Sequence, residues 1–133
     1  MNPEELWSRL AIQDLTNRYA LYVDTKQLDR LIDLFWPDAV FDDSALGVGP
    51  FQGQAAIREY FQLALPSVSE LMHLTSNLVI DFDAGSDAKG VSTLFFEGKD
   101  AAGNVQRLRG YFHDIYRQNS EQWRFQSRTL KLL

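Results

Sequence analysis

Histidine is the side chain that most often exchanges a proton near neutral pH, and this chain has two, His73 and His113. His73 lies in "LMHLTSNLVIDF", residues 71–82, a largely apolar stretch that predicts a β-strand. A neutral imidazole is stable inside a protein when both nitrogens are hydrogen-bonded, and it acts as a general base when one nitrogen is free. The residues alone leave a structural and a catalytic interpretation of His73 open.

Other common catalytic chemistries find no support in the sequence. The chain has no cysteine, which excludes disulfides, thiolate zinc sites and cysteine nucleophiles. The two histidines do not have the spacing of a zinc motif, and "GVGPFQG" (47–53) lacks the spacing and the lysine of a P-loop. No G-x-S-x-G nucleophile motif occurs either. We therefore predict a site without a metal or cofactor.

The charge of the chain limits its partners. It has 13 Lys and Arg against 18 Asp and Glu, a formal net charge of −5, and no basic run that would favour nucleic acid. No apolar run approaches the roughly 20 residues that a membrane span needs. The beginning "MNPEELWSRL" is acidic where a signal peptide would be basic, so we expect a cytoplasmic protein.

The first half of the sequence predicts helices. From Ile12, apolar residues at 12, 15, 19, 22 and 23 form one stripe of a 3.6-residue period. Residues 28, 31, 32 and 35 repeat the pattern in a short helix that must end at Trp36, because Pro37 follows. "AVFDD" predicts a short strand, and a third helix is expected from Gln54 to about Leu65.

The second half predicts at least four long antiparallel strands. "HLTSNLVIDF", "GVSTLFFEG", "VQRLRGYFHDIYR" and "WRFQSRTLKLL" are separated by the turn "DAGSD", the hairpin loop "KDAAGN" and "QNSEQ". Helices followed by strands predict one α+β domain over residues 1–133, with the helices on one face of a curved sheet. Such a sheet is expected to enclose an apolar cavity.

The order and spacing of these segments resemble the nuclear transport factor 2-like superfamily. The resemblance is to its SnoaL-like branch, which includes scytalone dehydratase and hexachlorocyclohexane dehydrochlorinase. It is carried by "AIQDL" (11–15), "VD" (23–24), H-x-x-x-N-L (73–78) and W-x-F-x-x-R (123–128). It implies a cystatin-like α+β barrel, in which a curved, mixed or antiparallel sheet wraps around the N-terminal helices as a cone with an apolar cavity.

The resemblance also implies a catalytic site. His73 matches a general base, Asp24 the carboxylate that orients it, and Arg128 an arginine that helps to hold a departing anion. From the sequence itself, the other interpretation of Asp24 is structural: a helix-end or loop carboxylate that forms a surface contact or caps the second helix.

Two positions depart from the family pattern. Tyr19 stands where the dehydrochlorinase has a lysine, which speaks against dehydrochlorination. Val23 stands where scytalone dehydratase has one of its substrate-polarising tyrosines, although Tyr22 and Tyr19 are close in sequence.

The predicted strand "VQRLRGYFHDIYR" contains a second possible His–Asp pair. His113 and Asp114 are adjacent, so they point to opposite faces of a strand and cannot pair with each other. By family analogy His113 faces outward and Asp114 inward, where Arg128 of the neighbouring strand is a candidate partner. Arg128 therefore has two interpretations, a leaving-group contact or an ion pair with Asp114.

The remaining candidates are substrate contacts. Asn77 lies four residues after His73 and is predicted on the same strand face, as a substrate contact or a partner for backbone groups. The predicted cavity walls and contacts are Tyr19, Tyr22, Val23, Phe41, Leu94, Phe96 and Phe112.

Together these features predict a cofactor-independent lyase or isomerase of the dehydratase type. His73 would remove a proton from a small apolar, aromatic or polyketide-like ring substrate. The alternative is a non-catalytic binding domain, or a structural subunit resembling the small chain of aromatic-ring dioxygenases. We expect a homo-oligomer, a dimer or trimer, formed through the sheet.

Overall fold

Apart from one short edge strand, the helices and strands follow one another in the order that the sequence predicts. A computed structural model describes residues 1–83, 85 and 87–133 of the chain. Within them lie helices α1 (Pro3–Asp24), α2 (Leu28–Ile32) and α3 (Gln54–Ala64). The strands are β1 (Phe35–Asp43), β2 (Val48–Gln52), β3 (Ser69–Phe82), β4 (Asp87–Lys99), β5 (Val105–Asn119) and β6 (Gln122–Leu132).

The six strands form one mixed sheet in the order β2-β1-β6-β5-β4-β3. The β1–β6 pair is parallel and the other pairs are antiparallel. The predicted α+β class is confirmed. The edge strands β2 and β3 are not neighbours, so the described sheet is open and not a closed barrel.

Helix α1 begins earlier than its apolar stripe. The Asn2 side chain accepts a hydrogen bond from the backbone N–H of Glu5, and Pro3 occupies the first helical turn. Leu6, Trp7 and Leu10 are exposed, and the helix first reaches the core at Ser8 and Ile12. The first two turns bury little, so the apolar stripe begins only at Ile12 although the helix begins at Pro3.

The predicted extension of α2 to Trp36 is wrong. The helix ends at Ile32, and Phe35 opens β1 beside Phe125 of β6. The backbone N–H of Phe125 donates to the carbonyl of Leu34 at 2.9 Å. Pairing with β6, a partner that is distant in sequence, overrides the helical spacing of Phe35.

The loops agree with their turn residues where they are described. The Asp100 side chain accepts hydrogen bonds from the backbone N–H groups of Ala102 and Asn104, which forms the predicted β4–β5 hairpin loop. The predicted turn "DAGSD" includes residues 84 and 86, which lie outside the described residues. "GVGPFQG" contains β2, an edge strand that the sequence did not predict.

The core lies between the helices and the inner face of the sheet. Tyr19 of α1 is at its centre, with ring centroids of Phe35, Phe41, Phe112 and Phe125 between 5.7 and 6.3 Å away. These aromatic contacts fix α1 across the sheet and so determine where its last turn ends. No helix among the described residues is long and apolar enough to cross a membrane.

Candidate active site

His73 reaches the interior because of the alternation in β3. Leu71, His73 and Thr75 point inward between exposed neighbours, and His73 is paired with Phe96 of β4. The centroid of its imidazole ring lies 4.8 Å from that of Phe96 and 6.1 Å from that of Tyr19. The strand therefore delivers a polar ring to an apolar, aromatic surrounding.

Asp24, the last residue of α1, binds His73 through both carboxylate oxygens. Oδ1 lies 2.6 Å from imidazole Nδ1, and Oδ2 accepts a hydrogen bond of 2.8 Å from the backbone N–H of His73. The side chains are 17% and 9% exposed for Asp24 and His73, respectively. Asp24 was interpreted either as a structural carboxylate at the helix end or as the partner of His73. In the structure it contacts His73.

The carboxylate determines the state of the ring. An ionised carboxylate only accepts hydrogen bonds, so Nδ1 carries the proton that it donates to Asp24. The other nitrogen, Nε2, is then the basic one, and it has no hydrogen-bond partner among the described residues. This arrangement suits a general base, with Asp24 stabilising the imidazolium that forms.

His73 lines a cavity of about 260 Å³ between α1, α3 and the sheet. This is just below the range of about 300–1,000 Å³ that is typical of ligand pockets, so its ligand is small. Five of the predicted contacts line it: Tyr19, Val23, Leu94, Phe96 and Phe112. Further apolar walls that the sequence did not single out are Leu46, Phe61, Ala64, Leu65, Val68, Leu71, Leu108 and Leu130.

Tyr22 and Phe41 do not line this cavity, which corrects their prediction as substrate contacts. Tyr22 and Val23 are adjacent on α1 and diverge by about 100° around its axis, and the cavity lies on the side of Val23. The Tyr22 hydroxyl accepts a hydrogen bond from Arg18 at 2.6 Å. Phe41 is 1% exposed and packs behind the cavity against Tyr19.

The prediction that Asn77 shares the face of His73 is also wrong. Strand β3 shifts its register against β4 between Ser76 and Val79, and Asn77 has a positive φ of 56°. This β-bulge adds one residue and reverses the alternation, so Asn77 is exposed and Leu78 faces inward. Asparagine tolerates this left-handed backbone better than most residues.

Arg128 forms the second of the two contacts considered for it. It is fully buried on β6 directly opposite Asp114 on β5, with Nε 3.1 Å from Oδ1. Its guanidinium carbon lies 3.7 Å from the ring centroid of Phe112 and 4.3 Å from that of Tyr19. These two rings stand between Arg128 and the cavity, which Arg128 does not line. The structure therefore has the ion pair with Asp114, and Arg128 lies outside the cavity wall.

Asp114 has a further partner, and His113 has the expected orientation. The hydroxyl of Tyr116 donates to Oδ2 of Asp114 at 2.8 Å. Asp114 is buried and His113 is exposed, as the family resemblance implies, and the two lie on opposite faces, as strand alternation predicts.

A carboxyl group in the cavity wall, Asp43, was missed by the sequence analysis. Asp43, at the end of β1, lines the cavity, is 8% exposed and accepts a hydrogen bond of 3.2 Å from the Tyr60 hydroxyl. Burial raises the pKa of Asp43 to about 6. Strand alternation was the available signal, because Asp43 shares the face of the buried Ala39 and Phe41.

The comparisons with known proteins agree with this architecture. A family model described as a SnoaL-like domain matches residues 4–129. Gamma-hexachlorocyclohexane dehydrochlorinase from Sphingobium indicum is 29% identical over 128 residues, which cover 95% of this chain and 81% of that protein. No group of His, Asp or Glu side chains in the described part of the chain is arranged to hold a metal ion.

Two solved structures from Novosphingobium aromaticivorans are similar over the whole chain. One, provisionally named an aromatic ring hydroxylase, is 31% identical with a TM-score of 0.91, and the match covers 100% of this chain and 92% of that one. The other, provisionally named a scytalone dehydratase, is 21% identical with a TM-score of 0.91 and coverage of 100% and 89%. At that identity the second likeness shows the fold alone.

Proposed function

This chain belongs to the SnoaL-like domain family, and from that premise we propose that it is a cofactor-independent lyase or isomerase with a His73–Asp24 dyad. The observation that carries the proposal is the 2.6 Å contact between Asp24 Oδ1 and His73 Nδ1 at the wall of an apolar cavity. The dehydrochlorinase relative is a lyase by its name and supports an elimination reaction in general.

In the proposed reaction His73 removes a proton from carbon. Nε2 takes a proton from a carbon atom next to a carbonyl or a leaving group, and the ring becomes an imidazolium. Asp24 stabilises that charge through Nδ1 and holds the ring through its second contact, with the backbone N–H of His73. General-base catalysis of this kind typically contributes about 10²–10⁴-fold in rate.

The lining of the cavity supports a small, mainly apolar ring as the substrate. Phe96 and Phe112 offer aromatic faces, and Leu94 and Val23 offer aliphatic ones. A volume of about 260 Å³ suits one ring or a compact pair of fused rings.

The electrostatics of the site support an uncharged leaving group or an isomerisation. Tyr19 stands in the cavity wall where the sequence resemblance places a lysine, so the wall lacks that positive charge. Arg128 is separated from the cavity by aromatic rings. Neither feature favours the departure of a free anion into the cavity.

Hydrogen–deuterium exchange at the α-carbon of 1-tetralone tests this proposal without requiring the natural substrate. We expect the protein in D₂O to accelerate the exchange, and His73→Gln to reduce it to the background rate while the fold, measured by circular dichroism, persists. His113→Gln is the matched control, because that histidine is exposed and does not line the cavity. Equal exchange by wild type and a folded His73→Gln protein would contradict the proposal.

The outer face of the sheet supports the expectation of a homo-oligomer. Large apolar side chains are exposed there on β3, β4 and β5: Met72, Leu74, Val79, Val91, Phe95 and Tyr111. We propose that a dimer or trimer covers this face. Light scattering after size exclusion should give a multiple of the 15.3 kDa chain mass. Leu74→Lys should lower the measured mass. A monomeric wild type would exclude the assembly.

A further inference from the structure

A second cleft lies outside the cavity that His73 lines. It is formed by α1, α2 and the turn that joins β5 to β6, and its volume is about 630 Å³. None of the residues that line it belongs to the lining of the first cavity. Its volume is within the range of about 300–1,000 Å³ that is typical of ligand pockets. The cleft is therefore a candidate binding site that is independent of the proposed function.

Two ion pairs line the cleft. On α1, Nε of Arg18 lies 2.6 Å from Oδ2 of Asp14. Nη2 of Arg124, at the start of β6, lies 3.6 Å from Oδ1 of Asp33. The Arg124 guanidinium also lies 4.8 Å from the ring centroid of Trp36. Because each arginine has its own carboxylate, these four charges balance one another.

Two further charges in the cleft have no such partner. Arg30 of α2 and Glu121 of the β5–β6 turn both line it. Neither side chain forms a salt bridge or a hydrogen bond with any other described residue, and the two do not pair with each other. A cleft with one unpaired positive and one unpaired negative charge is complementary to a ligand that carries both charges.

The backbone at Glu121 is unfavourable for a residue of its type. Ser120 and Glu121 have positive φ values of 51° and 65° in the tight turn between β5 and β6. Such turns favour asparagine and glycine, because most other side chains are strained there. Residues held in this region cluster at catalytic and ligand-binding sites. The turn thus supports a role in binding for the Glu121 carboxylate.

The cleft also offers apolar surface and hydrogen-bond donors. Leu15, Leu34 and Trp123 line it. Trp123 is 9% exposed, and its indole N–H has no acceptor among the described residues; the same holds for the buried Nε–H of Arg124. Buried donors are normally hydrogen-bonded. A ligand with an uncharged acceptor, such as a peptide carbonyl, would supply the acceptor that these donors require.

From these features we infer that the cleft binds a dipeptide with apolar side chains in its zwitterionic form. The ligand carboxylate contacts Arg30, its ammonium group contacts Glu121, and its amide carbonyl accepts from the Trp123 indole N–H. The apolar side chains pack against Leu15 and Leu34. A single amino acid carries both charges but lacks the amide carbonyl, so a dipeptide fits the cleft better.

Titration of ¹⁵N-labelled protein with L-leucyl-L-leucine tests this inference. The chain has three tryptophans, and each gives an indole ¹⁵N–¹H signal that a Trp→Phe variant assigns. We expect a saturable shift of the Trp123 signal to lower field, because its N–H gains an acceptor. Trp7 is the internal control, since it is 72% exposed and lies outside the cleft.

Blocked ligands show which charge contacts which side chain. N-acetyl-L-leucyl-L-leucine lacks the ammonium group, and L-leucyl-L-leucine amide lacks the carboxylate. Each should bind wild type about fivefold more weakly than the free dipeptide. Glu121→Gln should weaken binding of the free dipeptide by the same factor, and should add little to the effect of acetylation. Arg30→Gln should show the same relation with the amide.

Two substitutions outside the cleft are the matched controls. Arg107→Gln removes an arginine of β5, and Glu4→Gln removes a glutamate in the first turn of α1. Neither residue lines the cleft. Both variants should bind L-leucyl-L-leucine as wild type does, and circular dichroism checks that all four variants are folded. If a variant does not fold, the three ligands compared on wild type still decide the question.

Several results would overturn the inference. They are a Trp123 signal that does not shift saturably, equal affinity for the free dipeptide and its blocked forms, or fully additive effects of Glu121→Gln and acetylation. Binding that shifts the signals of His73 and Phe96 in place of the Trp123 signal would assign the dipeptide to the first cavity and also contradict it. None of these results bears on the dyad, which α-proton exchange on 1-tetralone tests separately.

Discussion

Asp24 holds His73 at two points, the ring nitrogen Nδ1 at 2.6 Å and the backbone N–H at 2.8 Å. One contact fixes the end of α1 to β3, and the other fixes the imidazole relative to both. The carboxylate is thus a structural link between α1 and β3 and, in the proposed function, the partner of the base. Because one carboxylate makes both contacts, the ring is oriented before a substrate enters.

Asp24→Asn should separate these two purposes. The amide oxygen can still accept from the His73 backbone N–H, but the amide N–H group would face Nδ1 and favour the tautomer with the proton on Nε2. Nε2 then cannot act as a base, and we expect α-proton exchange on 1-tetralone to fall by about 10²–10⁴-fold with little change in stability.

The measurement pairs exchange kinetics with ¹⁵N NMR of the imidazole, which reports the tautomer. Asp29→Asn, on the exposed surface of α2, is the control. Full activity of Asp24→Asn together with the Nε2-protonated tautomer would contradict this account of the dyad.

Arg128 and Asp114 should behave as a coupled pair in stability measurements. Arg128→Met leaves the buried Asp114 without its charge partner, which typically costs about 3–5 kcal/mol. In Asp114→Asn the charge on Arg128 loses its partner, and the double variant removes both charges. We expect the double variant to be at least about 2 kcal/mol more stable than the sum of the single effects predicts. Urea unfolding of the four proteins provides the test, and additive effects would show that the ion pair is not coupled.

The adjacent carboxyl groups Asp42 and Asp43 should shift stability with pH in opposite directions. Burial raises the pKa of Asp43 from 3.8 to about 6, so the folded state holds this proton more tightly than the unfolded state does. Its contribution to stability is fully present below about pH 4 and is lost as pH rises through 6, a change of at most about 3 kcal/mol. Asp43→Asn should match wild type at pH 4 and be more stable than wild type at pH 8.

Asp42 is the matched control for this experiment. The hydrogen bond from the Ser44 side chain lowers the pKa of Asp42, so its contribution is present above about pH 4 and is lost as pH falls. Asp42→Asn should therefore be less stable than wild type at pH 8. The same sign of effect at pH 8 in both variants would show that the burial of Asp43 does not govern its titration.

Two sheet glycines should differ in their tolerance of alanine. A Cβ at Gly110 would lie 2.1 Å from the backbone carbonyl oxygen of Lys131 on the adjacent strand, and that oxygen cannot move without disturbing the β5–β6 pair. Gly110→Ala should cost about 3 kcal/mol or more of unfolding free energy. At Gly98 the nearest atoms are the side-chain ends of Phe96 and Leu71, at 2.9 and 3.0 Å, so Gly98→Ala should cost about 1 kcal/mol. Thermal or urea unfolding compares them, and equal costs would contradict the prediction.

Most of the order of helices and strands, and the two residues of the proposed dyad, could be predicted from the sequence. Local patterns account for much of this success. Period-two alternation correctly placed Asp114 and His113 on opposite faces of the strand, and the family resemblance indicated which face is inward. The apolar stripe of α1 correctly oriented Tyr19 and Val23. These positions depend on the regular repeat of a strand or helix, and that repeat is visible in the sequence.

The predictions failed where contacts between distant parts of the chain, or an irregular backbone, determine the position of a residue. Phe35 has helical spacing but joins β1 because β6 pairs with it, and this contact spans 90 residues of the chain (125 − 35). Tyr22 belongs to the buried stripe of α1, and only the position of the cavity shows that it lies on the wrong side. The contact of Asp43 with Tyr60 required knowing that α3 places Tyr60 opposite the end of β1.

The bulge at Asn77 divides β3 into two lengths of opposite phase. In the first length Leu71 and His73 line the cavity, and in the second the even-numbered residues Leu78 and Ile80 face the core. Without the extra residue of this bulge, β3 could direct either His73 to the cavity or Leu78 and Ile80 to the core, but not both. An alignment of β3 with a relative that has no gap at this point would therefore match interior positions with exterior ones along half the strand.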